Sequence, residues 1–143
     1  MFYGEVKHAL DIKGRLIVPA QFREGLLPEF VMTKGLDHSI FVFPQGEWRV
    51  MEEKLRALPL THRDARAFVR YFFSGAHAGT VDKQGRIRIP QNLMEYAGLT
   101  KQVMIIGVGS RLELWSEEQW QNYNNDEQLS YDNIAEKLAD LGI

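Results

Sequence analysis

Two nine-residue stretches of this chain nearly repeat one another. Asp11-Ile12-Lys13-Gly14-Arg15-Leu16-Ile17-Val18-Pro19 returns as Asp82-Lys83-Gln84-Gly85-Arg86-Ile87-Arg88-Ile89-Pro90, with Asp, Gly, Arg and Pro in matching places 71 residues apart. Such a duplication constrains the fold more than any isolated motif, because both copies must build the same local structure. The echo continues past the motif. Residues 22–26 stand against 93–99, 31–34 against 103–106, and 39–43 through Trp48 against 111–115 through Trp120, with the later offset at 72. Two copies are too few for a solenoid, so the reading is a fused pair of half-domains.

Each copy reads the same way. A strand leads in (3–10 and 77–81), an Asp-x-x-Gly turn follows, and a strongly apolar strand comes next (15–18 and 86–89). Pro19 and Pro90 force Val18 and Ile89 to be extended and suit the first turn of a helix, where a missing N–H costs nothing. Gly25 and Gly98 stand where that helix should stop. Two β-rich runs close each copy, 30–34 with 40–43 and 102–108 with 112–115.

Between the copies, residues 45–58 place Trp48, Met51, Leu55 and Leu58 on one helical face, and Pro59 ends the run. Thr61 and Asp64 form a capping-box-like pair. The helix after them gathers Phe68, Val69, Phe72 and Phe73, with Arg63, Arg66 and Arg70 on another face. The aromatic stripe reads as core or subunit interface, and the arginines as a wet face or interface ion pairs. Ser116 caps a short helix through Trp120, and Ser130 a last one carrying Ile134, Leu138 and Leu141. The expected division is a first unit with its helix (1–58), a connecting helix (59–75), a second unit with its helix (76–124) and an acidic helical tail (125–143).

A chain of 143 residues, 45% apolar and 25% charged, has the balance of a globular protein with a real core. It has no cysteine, which excludes disulfides and thiol chemistry and fits a reducing cytosol. No stretch is apolar for long enough to predict a signal peptide or a membrane span. The expectation is a cytoplasmic protein. Its net charge of −2 argues against a simple polybasic nucleic-acid binder. The charge is unevenly spread, however: residues 113–143 hold eight acidic groups and one base, Lys137, a net of −7, which leaves +5 on residues 1–112.

The repeated loop carries the chemistry. Asp at the first position of a type I turn accepts backbone N–H bonds, and Gly at the fourth relaxes its exit. Asp11 and Asp82 are thus turn formers rather than acids, and Gly14 and Gly85 permit positive φ. Arg15 and Arg86 follow at once, held by a loop with little entropy left to lose. Arginine suits phosphates and guanine edges because its planar fork makes two parallel hydrogen bonds. Lys13, Lys83 and Arg88 could add point-charge contacts to phosphates. One copy of Asp-x-x-Gly-Arg would read as an exposed turn; its repetition with a shared proline points to function.

With this set of residues the chain resembles the MraZ family, whose members are similar to two fused AbrB-type (SpoVT-AbrB) swapped-hairpin units. The matching stretches include Met1-Phe2-Tyr3-Gly4-Glu5, residues 10–19, Gly35-Leu36-Asp37, Glu47-Trp48, Ala65-Arg66-Ala67, Phe73-Ser74-Gly75-Ala76, residues 81–87, Ile106-Gly107 and Arg111-Leu112-Glu113-Leu114-Trp115. The resemblance implies an α+β fold of two pseudo-symmetric swapped-hairpin units with flanking helices around a barrel-like core. It also implies a repressor that binds tandem repeats in the promoter of its own division and cell-wall gene cluster. Subunits would form a ring and associate with the nucleoid, with the loops of Asp11 and Arg15, and of Asp82 and Arg86, facing double-stranded DNA. Gln21 departs from a common family lysine, and residues 90–92 and the acidic tail match less well.

An enzyme is the first rival. His8, His38, His62 and His77 lack metal-ligand spacing, no phosphate-binding Gly-rich loop appears, and no nucleophile–base pair is evident. No cofactor, metal, membrane or small-molecule substrate is expected. The second rival is a protein-interaction or assembly module that recognises its partner through the aromatic helices.

Overall fold

The computed structural model describes residues 1–142. The leading strand β1 (Phe2–Ala9) is followed by the short β2 (Arg15–Ile17), the helical turn α1 (Ala20–Arg23), β3 (Phe30–Lys34) and β4 (Ile40–Pro44). Two helices, α2 (Gln45–Arg56) and α3 (Arg63–Ser74), lead into the second copy. That copy runs β5 (His77–Gly79), β6 (Arg86–Arg88), α4 (Gln91–Ala97), β7 (Gln102–Gly109), β8 (Leu112–Ser116) and α5 (Glu117–Asn124). A last helix α6 (Tyr131–Lys137) lies in the acidic tail and buries no residue. No helix is long and apolar enough to cross a membrane among the described residues.

Six strands form one antiparallel sheet in the order β1-β7-β8-β4-β3-β5, and β2 pairs with β6 in a separate two-stranded ribbon. The order is a palindrome under exchange of the halves. β1 of the first copy lies on β7 of the second, β5 of the second lies on β3 of the first, and β4 meets β8 at the centre. Neither copy can complete a sheet from its own strands, so the two halves interleave. The sequence expectation of paired pseudo-symmetric β units with flanking helices holds. The barrel-like core is left open: an isolated bridge between Leu10 and Leu16 joins ribbon to sheet, with no continuous ladder among the described residues.

The core repeats too. Leu16, Val18, Phe22 and Leu26 are matched by Ile87, Ile89, Leu93 and Ala97, all essentially inaccessible to water. These side chains, together with Phe30, Met32, Val103 and Ile105 from the sheet, form one apolar cluster between ribbon and sheet. Each large side chain so buried is worth about 2 kcal/mol of transfer free energy. A second cluster of Phe41, Phe43, Leu55 and Phe72, packed by Trp48, Met51, Val69 and Phe73, fastens α2 and α3 to the outer face of β3 and β4. Buried Thr33 adds a hydrogen bond from its Oγ1 to the Phe72 carbonyl.

The structure corrects five local expectations. Residues 31–34 do not stand against 103–106. Lys34 lies opposite Ile40 and Gly107 opposite Leu112, so the true offset in this strand is 73, and Phe30 and Met32 correspond to Val103 and Ile105. A one-residue slip exchanges the faces of a strand, and burial follows the corrected register. The cap of α3 is His62, whose Nδ1 accepts from the Ala65 N–H, and not Thr61. Gly98 ends α4 in the left-handed conformation, whereas Gly25 sits inside a 3-10 turn because the Phe2 ring lies where its side chain would go. Finally, α5 continues past Trp120 to Asn124, and Leu58 lies beyond the end of α2.

The Arg111-Leu112-Glu113-Leu114-Trp115 stretch is explained by strand alternation. Arg111, Glu113 and Trp115 share one face, where Glu113 accepts from Arg111 Nη2 at 2.7 Å and from Trp115 Nε1 at 3.0 Å. The Arg111 guanidinium also lies 4.2 Å from the Phe41 ring centroid. Glu113 is almost buried, so Glu113→Ala strands two donors. Urea denaturation is expected to show a loss of about 2 kcal/mol.

Candidate nucleic-acid interface

The two Asp-x-x-Gly-Arg loops adopt one conformation. In the first, Asp11 Oδ1 accepts from the N–H groups of Lys13 (2.9 Å) and Arg15 (2.8 Å), and its carbonyl accepts from Gly14 (3.0 Å). In the second, Asp82 Oδ1 accepts from Gln84 and Arg86 (both 2.9 Å), and its carbonyl from Gly85 (3.0 Å). Gly14 and Gly85 exit at φ of 76° and 79°, in the region that favours glycine. The loops also close onto each other's strands, with the Val18 N–H donating to the Gly85 carbonyl and the Ile89 N–H to the Gly14 carbonyl, each at 2.8 Å.

The second carboxylate oxygen of each aspartate does what a turn former need not do. Arg15 Nε donates to Asp11 Oδ2 at 2.7 Å, and Arg86 Nε donates to Asp82 Oδ2 at 2.8 Å. Gripping Nε fixes the guanidinium plane and leaves both terminal nitrogens unengaged among the described residues. Each arginine therefore presents a pre-oriented two-pronged donor, the form that suits a guanine edge or a phosphate. The aspartates thus both form the turn and aim the arginine.

Register puts the arginines on one face. In the ribbon Arg15 lies opposite Arg88, Leu16 opposite Ile87 and Ile17 opposite Arg86. Side chains alternate, so Leu16 and Ile87 point into the core while Arg15, Ile17, Arg86 and Arg88 share the outer face. Arg88 reaches across the ribbon to donate to the Lys13 carbonyl at 3.3 Å. Lys13 and Lys83 are exposed in the loops at non-equivalent positions, since Gln84 matches Lys13 and Ile12 matches Lys83.

Both loop carboxyls sit below the ordinary aspartate value of 3.8. For Asp11 the main cause is the Arg15 backbone N–H, opposed by desolvation and reinforced by the Arg15 side chain and the Lys13 N–H. Asp82 is lowered by the Arg86 backbone N–H, again against desolvation, with help from the Arg86 side chain and Gln84. A depressed carboxyl stabilises the loop fully above its ordinary value and stops doing so as pH falls through the lowered one. The Nε–H resonances of Arg15 and Arg86 are therefore expected to hold steady from about pH 8 to 5 and to move only in stronger acid. A transition nearer neutrality would contradict the paired geometry.

Two side chains with no evident role in the sequence lie beneath the loops. A Cβ at Gly85 would fall 2.7 Å from Arg23 Cζ, and one at Gly14 would fall 3.2 Å from Met94 Cε. Arg23 and Met94 are equivalents at the 71-residue offset, so the signal lay in the alignment, but only the folded chain tucks them under the turns. Arg23 Nη2 donates to the Val18 carbonyl at 2.9 Å. The Arg63, Arg66 and Arg70 stripe lies elsewhere. Arg66 donates to the Leu60 carbonyl, and Arg66 and Arg70 border an apolar groove formed by Leu55, Leu58, Pro59 and Phe73.

Two tandem copies of one family model cover nearly the whole chain. Residues 1–71 and 72–141 each match the model described as "MraZ protein, putative antitoxin-like". The chain belongs to the MraZ family. A relative from Alkaliphilus oremlandii, named transcriptional regulator MraZ, is 57% identical over 143 residues, all of both chains. One of the same name from Carboxydothermus hydrogenoformans is 58% identical over 141 residues, 99% of each chain. Another from Clostridium tetani is 54% identical over the full length of both. The boundary between the two MraZ matches falls inside α3, after Tyr71.

Proposed function

We propose that the chain is a transcriptional regulator that binds double-stranded promoter DNA through the outer face of the β2–β6 ribbon and its two flanking loops. Arg15 and Arg86 read the DNA, Lys13, Lys83 and Arg88 add contacts to it, and Asp11, Gly14, Asp82 and Gly85 hold the loops. The observation that carries this reading is the duplicated loop in which Asp grips only Nε and leaves the guanidinium fork of a partly exposed arginine without a partner among the described residues. A two-stranded ribbon has the width that the major groove admits, and loops at both ends of it could meet the phosphate backbone. The MraZ membership and the printed names of the relatives support a role in transcription.

The finer picture is that several subunits form a ring on tandem repeats upstream of the chain's own gene, in a division and cell-wall cluster, and repress it from within the nucleoid. Each later contact in such an array is intramolecular, so modest single-site affinity becomes strong avidity. This reconciles a net charge of −2 with DNA binding. No catalytic step, cofactor or metal enters this function. The rival reading, an assembly module without DNA, draws on Leu60 and Phe68, which stay exposed on the α2–α3 side.

Salt separates the two. A DNA-binding ring loses promoter affinity steeply, with a log–log slope of about −0.9 per phosphate neutralised. An interaction module working through apolar surface shows no promoter binding to lose. A mobility-shift titration from low to moderate salt decides between them, and a flat response overturns the DNA reading.

A further inference from the structure

The ribbon's pseudo-twofold symmetry is broken at one position on its outer face. Symmetry pairs Arg15 with Arg86, and Ile17 with Arg88. The first pair matches and the second does not. Because the strands run antiparallel, each odd residue sits beside the other copy's arginine: Arg88 beside Arg15, and Ile17 beside Arg86. One end of the ribbon therefore carries two adjacent arginines above Lys13, whose carbonyl Arg88 holds. The other carries one arginine next to an isoleucine that is 39% exposed, although its strand neighbours Leu16 and Val18 are fully buried. Ile17 thus offers a partly exposed apolar surface beside Arg86, at the position where the other copy has an arginine.

We propose that Ile17 and Arg88 make each chain read its DNA site with a fixed direction. The end with Arg15 and Arg88 takes guanine-rich sequence, because each guanidinium fork pairs with O6 and N7 of guanine. The end with Arg86 and Ile17 takes a guanine next to a thymine, whose C5-methyl supplies the apolar surface that Ile17 meets. A unit with two different ends does not prefer a palindrome within its own site, and subunits that follow one another round the proposed ring in one sense then meet sites that run in one direction. This inference rests on the DNA reading above and adds to it a residue, Ile17, that carries no charge and would be passed over as a phosphate contact.

The test uses single-repeat duplexes taken from the promoter upstream of the chain's own gene, with wild type, Ile17→Ala, Ile17→Arg and Arg15→Ala/Arg86→Ala. Thymines are replaced one at a time by uracil, which lacks the methyl group. Wild type is expected to lose binding several-fold at one thymine, and Ile17→Ala to be indifferent to that replacement. A palindrome built from two copies of the guanine-rich half should bind wild type about tenfold more weakly than the native repeat. Ile17→Arg makes the outer face of the ribbon itself symmetric while the loops still differ at Ile12/Lys83 and Lys13/Gln84, so it should close most of the gap between the palindrome and the native repeat. The proposal is overturned if no uracil effect is abolished by Ile17→Ala, or if Ile17→Arg keeps the wild-type preference. The underlying DNA reading fails separately, if wild type ignores the repeat or Arg15→Ala/Arg86→Ala binds like wild type. Ile17 is on the surface, so unchanged melting temperatures will confirm that the variants are folded.

Discussion

Arg15→Ala combined with Arg86→Ala is expected to weaken promoter binding by at least about a hundredfold, since each well-placed arginine fork discriminates by roughly tenfold or more and the loss multiplies across an assembly. The fold should not notice. Both arginines are partly exposed, and their partners are aspartates that keep three backbone-directed bonds per loop when the guanidinium is removed. Surface ion pairs of this kind add little to stability. Thermal melting within a few degrees of wild type, beside a lost mobility shift, is the predicted pair of results. A lost shift with collapsed melting would instead assign the arginines to the fold.

Gly107→Ala is expected to damage the fold itself. A Cβ there would lie 2.5 Å from the Tyr3 backbone nitrogen and 2.7 Å from the Phe2 carbonyl carbon. These are main-chain atoms of β1, which cannot step aside as a side-chain tip can. β1 pairs with β7 over eight registered residues, Phe2 opposite Gly109 to Ala9 opposite Gln102. That pairing is one of the two places where the halves exchange strands. The substitution should cost about 3 kcal/mol or more in urea denaturation and expose the N-terminal strand to proteolysis. Gly46→Ala is the control: it lies in α2 with nothing within 4 Å of the added methyl, so it should hold or raise stability, by up to about 1 kcal/mol. Equal stability of the two variants would contradict the account of the exchanged strand.

The duplication made much of this legible in advance. Asp at the head of each loop, Gly at its exit and Pro after the strand are local signals, and local rules place the turn, the short strand and the following helix. The 73-residue offset of β3 and β7 was not legible, because Val31-Met32 and Val103-Met104 look alike as letters and only hydrogen-bond register separates the two faces. His62 displaced Thr61 as the cap of α3 because either side chain can accept an N–H there, and the path of the chain after Pro59 decides which one is in reach. The strand exchange is legible only as an incapacity, since half a sheet cannot close a core. Which strand crosses over is a long-range outcome. At the site, the arginines stood out through repetition. The grip of Asp on Nε, the packing of Arg23 and Met94 beneath the glycines, and the juxtaposition of Ile17 with Arg86 all depend on residues far apart in sequence.

The central claim is that the two arginine-bearing loops read DNA. Footprinting of the region upstream of the chain's own gene, with wild type beside Arg15→Ala/Arg86→Ala, tests it most directly. Regularly spaced protection by wild type, gone in the double variant at the same protein concentration and moderate salt, is the expected result. Protection that survives unchanged in the double variant, or its absence with wild type, would contradict it.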